Sequence, residues 1–103
     1  MKIKVESEKI VKALKKLKGI EIVLENVDDA KEALNLILRK SDLFKDEDLE
    51  KVREVDVRSS REYRTSAVEY QMVFLLEFHF QEDTSPEAKI EFIKGFQEFL
   101  DRV

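Results

Sequence analysis

An unbroken two-residue alternation between Val68 and Phe80 constrains the fold of this chain more than any other feature. Every even-numbered position in that stretch is apolar, as expected for one buried face of a β-strand. The even positions are Val68, Tyr70, Met72, Phe74, Leu76, Phe78 and Phe80. The odd positions are polar at both ends and apolar only at Val73 and Leu75. We therefore expect one face of this strand to be core and the other to be largely solvated, with something covering Val73 and Leu75.

The preceding stretch, residues 53–64, alternates in the same way and predicts a more polar partner strand. A turn near Thr65 and Ser66 would join the two strands in an antiparallel hairpin that places Val57 opposite Phe74. The second strand alone spans roughly 43 Å at about 3.3 Å per residue. Because that is long for a small domain, we expect a bulge, a bend or a projecting end.

The first 25 residues predict a compact βαβ unit. Residues 1–5 alternate as a short strand, and residues 20–25 alternate as a second one. Between them, apolar residues recur at helical spacing, with Ser7 as the expected N-cap and Gly19 just after the helix. Two strands joined by a helix are expected to be parallel, with a right-handed crossover.

Two further helices and a short helical turn complete the pattern. Asn26 or Asp28 is expected to cap the first of these helices, whose wide apolar stripe predicts deep burial. Ser85 followed by Pro86 predicts the start of the last helix, and the short turn precedes the hairpin. Gly95 lies inside the last helix, and we attribute it to close packing against the sheet.

The resulting order, β-α-β-α-(α)-β-β-α, predicts a single α+β domain over residues 1–103. Its small mixed sheet would combine the βαβ half with the long antiparallel hairpin and pack against about three helices. In element order alone, the chain resembles the thioredoxin-like fold. It lacks that family's Cys-x-x-Cys motif, and no proline precedes the third strand, so its redox chemistry does not carry over. A sheet covered on one face by helices, in another strand order, fits the pattern equally well.

Composition removes several classes of function. There is no cysteine, which removes disulfides, thiolate nucleophiles and cysteine-based metal sites, and His79 is the single histidine. No apolar run approaches the roughly 20 residues of a membrane span, and no signal-peptide pattern opens the chain. We therefore expect a cytoplasmic protein with no cofactor, no metal and no membrane contact.

Charge is abundant and nearly balanced. The chain has 13 Lys and 15 Glu but only 2 Asn, 3 Gln and 2 Gly. This bias is typical of thermophile proteins, in which thermolabile residues are depleted and ion pairs are enriched. A heavily charged surface is also typical of designed proteins that have no biological function. The scarcity of glycine in the turns favours the thermophile, since designs place glycine in their loops.

Two groups of polar residues raise the question of catalysis or metal binding. Glu77 and His79 share the solvated face of the second hairpin strand, and a histidine beside a carboxylate can act as a general base. The sequence offers no oriented nucleophile and no phosphate-binding loop for such a base to serve. The acidic cluster at residues 42–50 lacks the ligand spacing and the glycine of an EF-hand, so helix capping explains it better. We expect the protein not to be an enzyme.

Four of the six arginines, Arg53, Arg58, Arg61 and Arg64, lie within twelve residues of the first hairpin strand. A β-ribbon that carries arginines can follow the phosphates of a nucleic acid. Acidic residues interleave with these arginines, and the whole chain has a net charge of −4, which favours cross-strand ion pairs instead. Nucleic-acid binding is therefore the alternative function and not the leading one.

The apolar pair Val73 and Leu75, with Glu77 and His79 beside it, is typical of an interface core with a polar rim. A loop at residues 43–44, which holds two large apolar side chains, is one candidate cover for this pair. A second subunit is the other candidate, and we favour it. The leading expectation is a domain that acts by binding protein, first of all a second copy of itself.

Overall fold

The computed structural model describes residues 1–40, 42–63 and 70–103. In these residues the elements are β1 (Lys2–Glu6), α1 (Ser7–Lys18), α2 (Val27–Arg39), α3 (Asp46–Leu49), β2 (Val52–Tyr63), β3 (Tyr70–Phe80) and α4 (Pro86–Arg102). The described strands form one antiparallel sheet in the order β1-β3-β2. The predicted α+β class and the predicted long hairpin are both confirmed.

The second strand predicted at residues 20–25 is wrong, and with it the parallel βαβ half of the sheet. This segment is an unpaired connection between α1 and α2, in which Leu24 is buried but Val23 is 75% exposed. β1 pairs antiparallel with β3 instead, so the resemblance to the thioredoxin-like fold does not extend to the sheet. Alternation predicts which side chains share a face, but it does not say whether a partner strand is available. Both edges of β3 are already occupied, by β1 and by β2.

The hairpin register differs by two residues from the expected one. Val57 lies opposite Leu76 rather than Phe74, and the predicted turn at Thr65 and Ser66 lies outside the described residues. A shift of two preserves which side chains share a face, because the side-chain period of a strand is two. The pairing has a register shift between Val52 and Glu54, at the start of β2 rather than in the strand for which an irregularity was expected.

The core lies between the even face of β3 and the three longer helices. Phe74, Leu76 and Phe78 are almost completely buried, and buried residues of α1, α2 and α4 belong to the same cluster. From α4, the rings of Phe92 and Phe96 meet Phe78 edge-on, with centroids 5.9 and 5.6 Å away. All three helices therefore cover one face of the sheet, and no described helix covers the other.

Three of the predicted helix-end residues are confirmed and one is wrong. Gly19 ends α1 in the left-handed conformation, with φ 65°. The side chains of Asn26 and Ser85 each accept the backbone N–H three residues further on, at 2.9 and 3.2 Å. Ser7 is the first residue of α1 rather than its N-cap, and the N-cap residue Glu6 makes no side-chain capping bond.

Phe44 packs on α4 and not on the uncovered face of the sheet. Its ring lies 4.5 Å from that of Phe92 and 6.4 Å from that of Phe96. It is also the nearest side chain to Gly95, where an added Cβ would lie 3.8 Å from the ring. Leu43, like Phe44, packs against the buried core cluster, to which Val73 does not belong. The loop at 43–44 therefore does not cover Val73 and Leu75, and Gly95 is not explained by close packing against the sheet.

Candidate functional site: the open face of the sheet

The side of the sheet opposite the helices is the candidate site, and we call it the open face. Strand alternation places the odd positions of β3 and the even positions of β1 and β2 on it. Its described side chains are Lys2, Lys4, Glu6, Glu54, Asp56, Arg58, Ser60, Val73, Leu75, Glu77 and His79. The two predicted interface aliphatics and the Glu77–His79 pair thus lie on one surface.

Leu75 is the exposed apolar residue near the centre of the open face. Its side chain is 40% exposed, and the strand register places it directly between Lys4 and Arg58. A shallow depression of about 100 Å³ lies beside it. Val73, two residues away on the same face, is only 1% exposed. Val73 therefore has almost no surface to offer a partner, and Leu75 is left as the apolar contact.

Charges on the open face are divided between two neighbouring rows. The basic row consists of Lys4 and Arg58, on either side of Leu75. The acidic row, two residues further along the strands, has Glu77 and Asp56 opposite each other, with Lys2 on the other side of Glu77. Two residues along a strand correspond to roughly 7 Å. From Arg58 to Asp56 the open face therefore changes from basic to acidic, over a distance that a single side chain of a binding partner can span.

His79 and Lys2 contact the carboxylates of the acidic row. The imidazole Nε2 of His79 lies 2.8 Å from Oδ2 of Asp56 and 3.6 Å from Oε1 of Glu77. The other oxygen of Glu77, Oε2, lies 3.6 Å from Nζ of Lys2. We assign the proton to Nε2, which then donates to the Asp56 carboxylate, because a carboxylate can only accept. The side-chain contacts that the described residues give His79 are thus to these two carboxylates.

The arginines of the alternative function are not gathered into one basic surface in the described residues. Arg58 lies on the open face next to the acidic row, and Arg53 is exposed near the start of β2, at the register shift. The side chain of Arg61 and the whole of Arg64 lie outside the described part of the structure. Nucleic-acid binding through these arginines stays a prediction.

The described residues contain neither a group of metal ligands nor a helix that could span a membrane. In residues 1–40, 42–63 and 70–103, no group of three or more acidic or histidine side chains is arranged so that it could hold a metal ion. Among the helices of these same residues, none has the length and apolar character needed to cross a bilayer.

Sequence reasoning missed a second surface, the α2–β2 groove. This cleft of about 240 Å³ lies between α2 and the outer edge of β2, with Leu34, Leu38 and Val55 in its lining and Lys31 and Arg39 at α2. It exists because α2 lies over that edge, which is a tertiary relationship between segments far apart in sequence. One signal was present: the exposed residues Lys31, Asn35 and Arg39 recur every four positions along one side of α2.

No protein family model, curated protein or solved structure matches this chain. Function therefore has to be inferred from these two surfaces.

Proposed function

We propose that this chain is a non-enzymatic protein-interaction domain that associates with a second copy of itself through the open face. The observation that carries the proposal is Leu75, 40% exposed near the centre of a sheet face that no described helix covers. An apolar centre inside a charged rim is the usual anatomy of a protein interface. The depression beside Leu75 supplies room for a side chain of the partner.

The division of charge favours a second copy as the partner. When two open faces stack with their strands antiparallel, a two-fold axis can pass between the basic and the acidic rows. Arg58 then lies over Asp56 of the partner subunit, and symmetry creates the same pair a second time. By the same symmetry Leu75 lies over Glu77 of the partner subunit, with the partner's Leu75 diagonally opposite across the axis. Lys4 comes over the partner's Lys2, and this like-charged pair opposes the association. Opposite charges across an interface set its register and suppress wrong partners.

The association is expected to be weak. Complete burial of a leucine contributes about 1.5–3 kcal/mol, so the remaining exposed part of Leu75 contributes on the order of 1 kcal/mol in each subunit. Exposed ion pairs add little and are screened by salt. These terms compete with the entropy lost on association, so the dimer should form only at high concentration and low ionic strength.

The test measures molecular mass by sedimentation equilibrium from about 10 µM to about 1 mM, a range that covers weak dimers. We expect the native chain to shift from monomer towards dimer and Leu75→Glu to stay monomeric. Ile90→Glu is the matched control, because Ile90 is also an exposed aliphatic residue (56%) but lies on α4, away from the open face. Circular dichroism checks that both variants are folded.

Two results would contradict the proposal. One is a native chain that remains monomeric at the highest concentration. The other is a dimer that Leu75→Glu leaves intact, or that Ile90→Glu weakens by the same amount.

A further inference from the structure

The outer edge of β2 is unpaired in the described part of the chain. β2 has 12 residues and lies at the end of the strand order, with β3 on one side only. The described backbone hydrogen bonds outside regular elements do not reach residues 52–63. An exposed strand edge presents a row of free N–H and C=O groups, which can template the addition of another strand.

The α2–β2 groove runs beside this unpaired edge. The side chains of Glu54 and Asp56 alternate to the open face, so it is their main chain that borders the groove. On the helix side, Leu34 and Leu38 are buried, while Val55 of β2 is half-buried. A strand added to the edge of β2 would therefore direct every second side chain into this cleft of about 240 Å³.

Two cations of α2 stand at this groove. Lys31 and Arg39 are both exposed, and neither forms an ion pair with any described carboxylate. They are eight residues apart, which corresponds to about 12 Å along a helix. A strand covers that distance in about four residues, at roughly 3.3 Å each. Residues four apart in a strand point to the same side.

We propose that the α2–β2 groove binds an extended segment of a partner protein, which adds to β2 as a fourth strand. The segment has the pattern acidic-x-apolar-x-acidic. Its apolar side chain enters the groove between Leu38 and Val55, and its two acidic side chains reach Lys31 and Arg39. Main-chain hydrogen bonds to β2 supply affinity, while the alternate side chains supply specificity, as in other cases of strand addition. This binding mode is independent of dimerisation through the open face.

A second copy of the chain fits this groove less well than an acidic segment. Two β2 edges that pair around a two-fold axis bring the two α2 helices side by side in antiparallel directions. Lys31 then approaches Arg39 of the partner subunit, twice by symmetry. Like charges placed opposite each other across an interface oppose association, whereas an acidic segment neutralises both cations.

The probe is a blocked synthetic peptide with the core Asp-Val-Leu-Val-Asp, labelled with fluorescein and titrated with the whole chain. Two control peptides test the two recognition elements. In one, both Asp residues become Lys. In the other, the alternate backbone nitrogens that would face β2 are methylated, which prevents strand pairing. We expect each control to bind at least about tenfold more weakly than the parent peptide.

Substitutions in the protein test the same contacts as the changes in the peptide. The double variant Lys31→Glu, Arg39→Glu should bind the parent peptide at least about tenfold more weakly than the native chain does. It should bind the Lys peptide more tightly. Lys12→Glu combined with Lys94→Glu changes two exposed lysines outside the groove, on α1 and α4. This variant is the control matched in charge and should leave both affinities unchanged. Amide chemical-shift changes should concentrate in residues 53–58 and 31–39.

Several results would overturn the proposal. One is the absence of peptide binding at about 1 mM protein. Another is an affinity of the methylated peptide equal to that of the parent peptide. The third is a set of amide chemical-shift changes confined to the open face. Self-association that Lys31→Glu alone strengthens, because it places opposite charges at positions 31 and 39 across the two-fold axis, would instead make a second copy the occupant. Leu75→Glu, which tests the open face, should leave peptide binding unchanged.

Discussion

The ring of Phe44 stacks on the ring of Phe92, with centroids 4.5 Å apart and planes 19° from parallel. Phe44 follows α2 in a loop, whereas Phe92 lies on α4, so this contact ties the middle of the chain to its last helix. Phe92 in turn meets Phe78 of β3 edge-on. The aromatic cluster therefore connects a loop, a helix and the central strand on the covered side of the sheet.

Phe44→Ala should destabilise the fold through loss of this stacking. Because Phe44 is half-buried, we expect the free energy of unfolding to fall by about 2 kcal/mol, less than for a fully buried phenylalanine. Urea denaturation followed by circular dichroism measures the change. Ile90→Ala, an exposed site on the same helix as Phe92, should change it by less than about 0.5 kcal/mol. Equal effects of the two substitutions would contradict the stacking argument.

The two glycines should respond to alanine in opposite directions. Gly95 lies inside α4, with 3.8 Å between an added Cβ and the nearest side chain, so Gly95→Ala should stabilise by about 0.5–1 kcal/mol through helix propensity. Gly19 has φ 65° at the end of α1, so Gly19→Ala should destabilise by about 1 kcal/mol. Thermal and urea unfolding of both variants check the prediction, and a loss of stability in Gly95→Ala would show that the Phe44 loop cannot accommodate the methyl group.

Charge reversal on the open face should reveal the register of the proposed dimer. Arg58→Glu and Asp56→Arg should each weaken self-association, because like charges then face each other across the two-fold axis. An equimolar mixture of the two variants should associate again, since position 58 of each subunit then faces an opposite charge at position 56 of the other. Sedimentation of the separate and mixed variants at low ionic strength measures this. Failure of the mixture to associate would exclude the antiparallel register.

The melting temperature should lie above about 80 °C, as in thermophile proteins. Composition motivates this prediction, because lysine and glutamate are abundant while asparagine and glutamine are scarce. The surface ion pairs seen here include Lys15–Glu21 at 3.1 Å. Differential scanning calorimetry gives the midpoint directly, and a value near about 55 °C, ordinary for mesophile domains, would contradict the prediction.

Local signals in the sequence predicted the parts of the fold that depend on neighbouring residues. The even positions of β3 from Met72 to Phe80 point into the core because alternation reports the face of a strand directly. The caps at Asn26 and Ser85 formed because their hydrogen bonds close within three residues. Residues 20–25 show the limit of such signals. Their alternation is as regular as that of β1, yet only β1 found a partner strand in β3.

By itself, the sequence determined the helices, the long hairpin, and which face of that hairpin is buried. Only the tertiary structure decided which strand pairs with β3, where Phe44 packs, and which surfaces stay open. Val73 and Leu75 are alike in sequence, but one is buried and the other is 40% exposed. The groove between α2 and β2 likewise exists only once the helix lies over the strand edge. The physical reason is that hydrophobic periodicity specifies a face, whereas coverage of that face depends on contacts between distant segments.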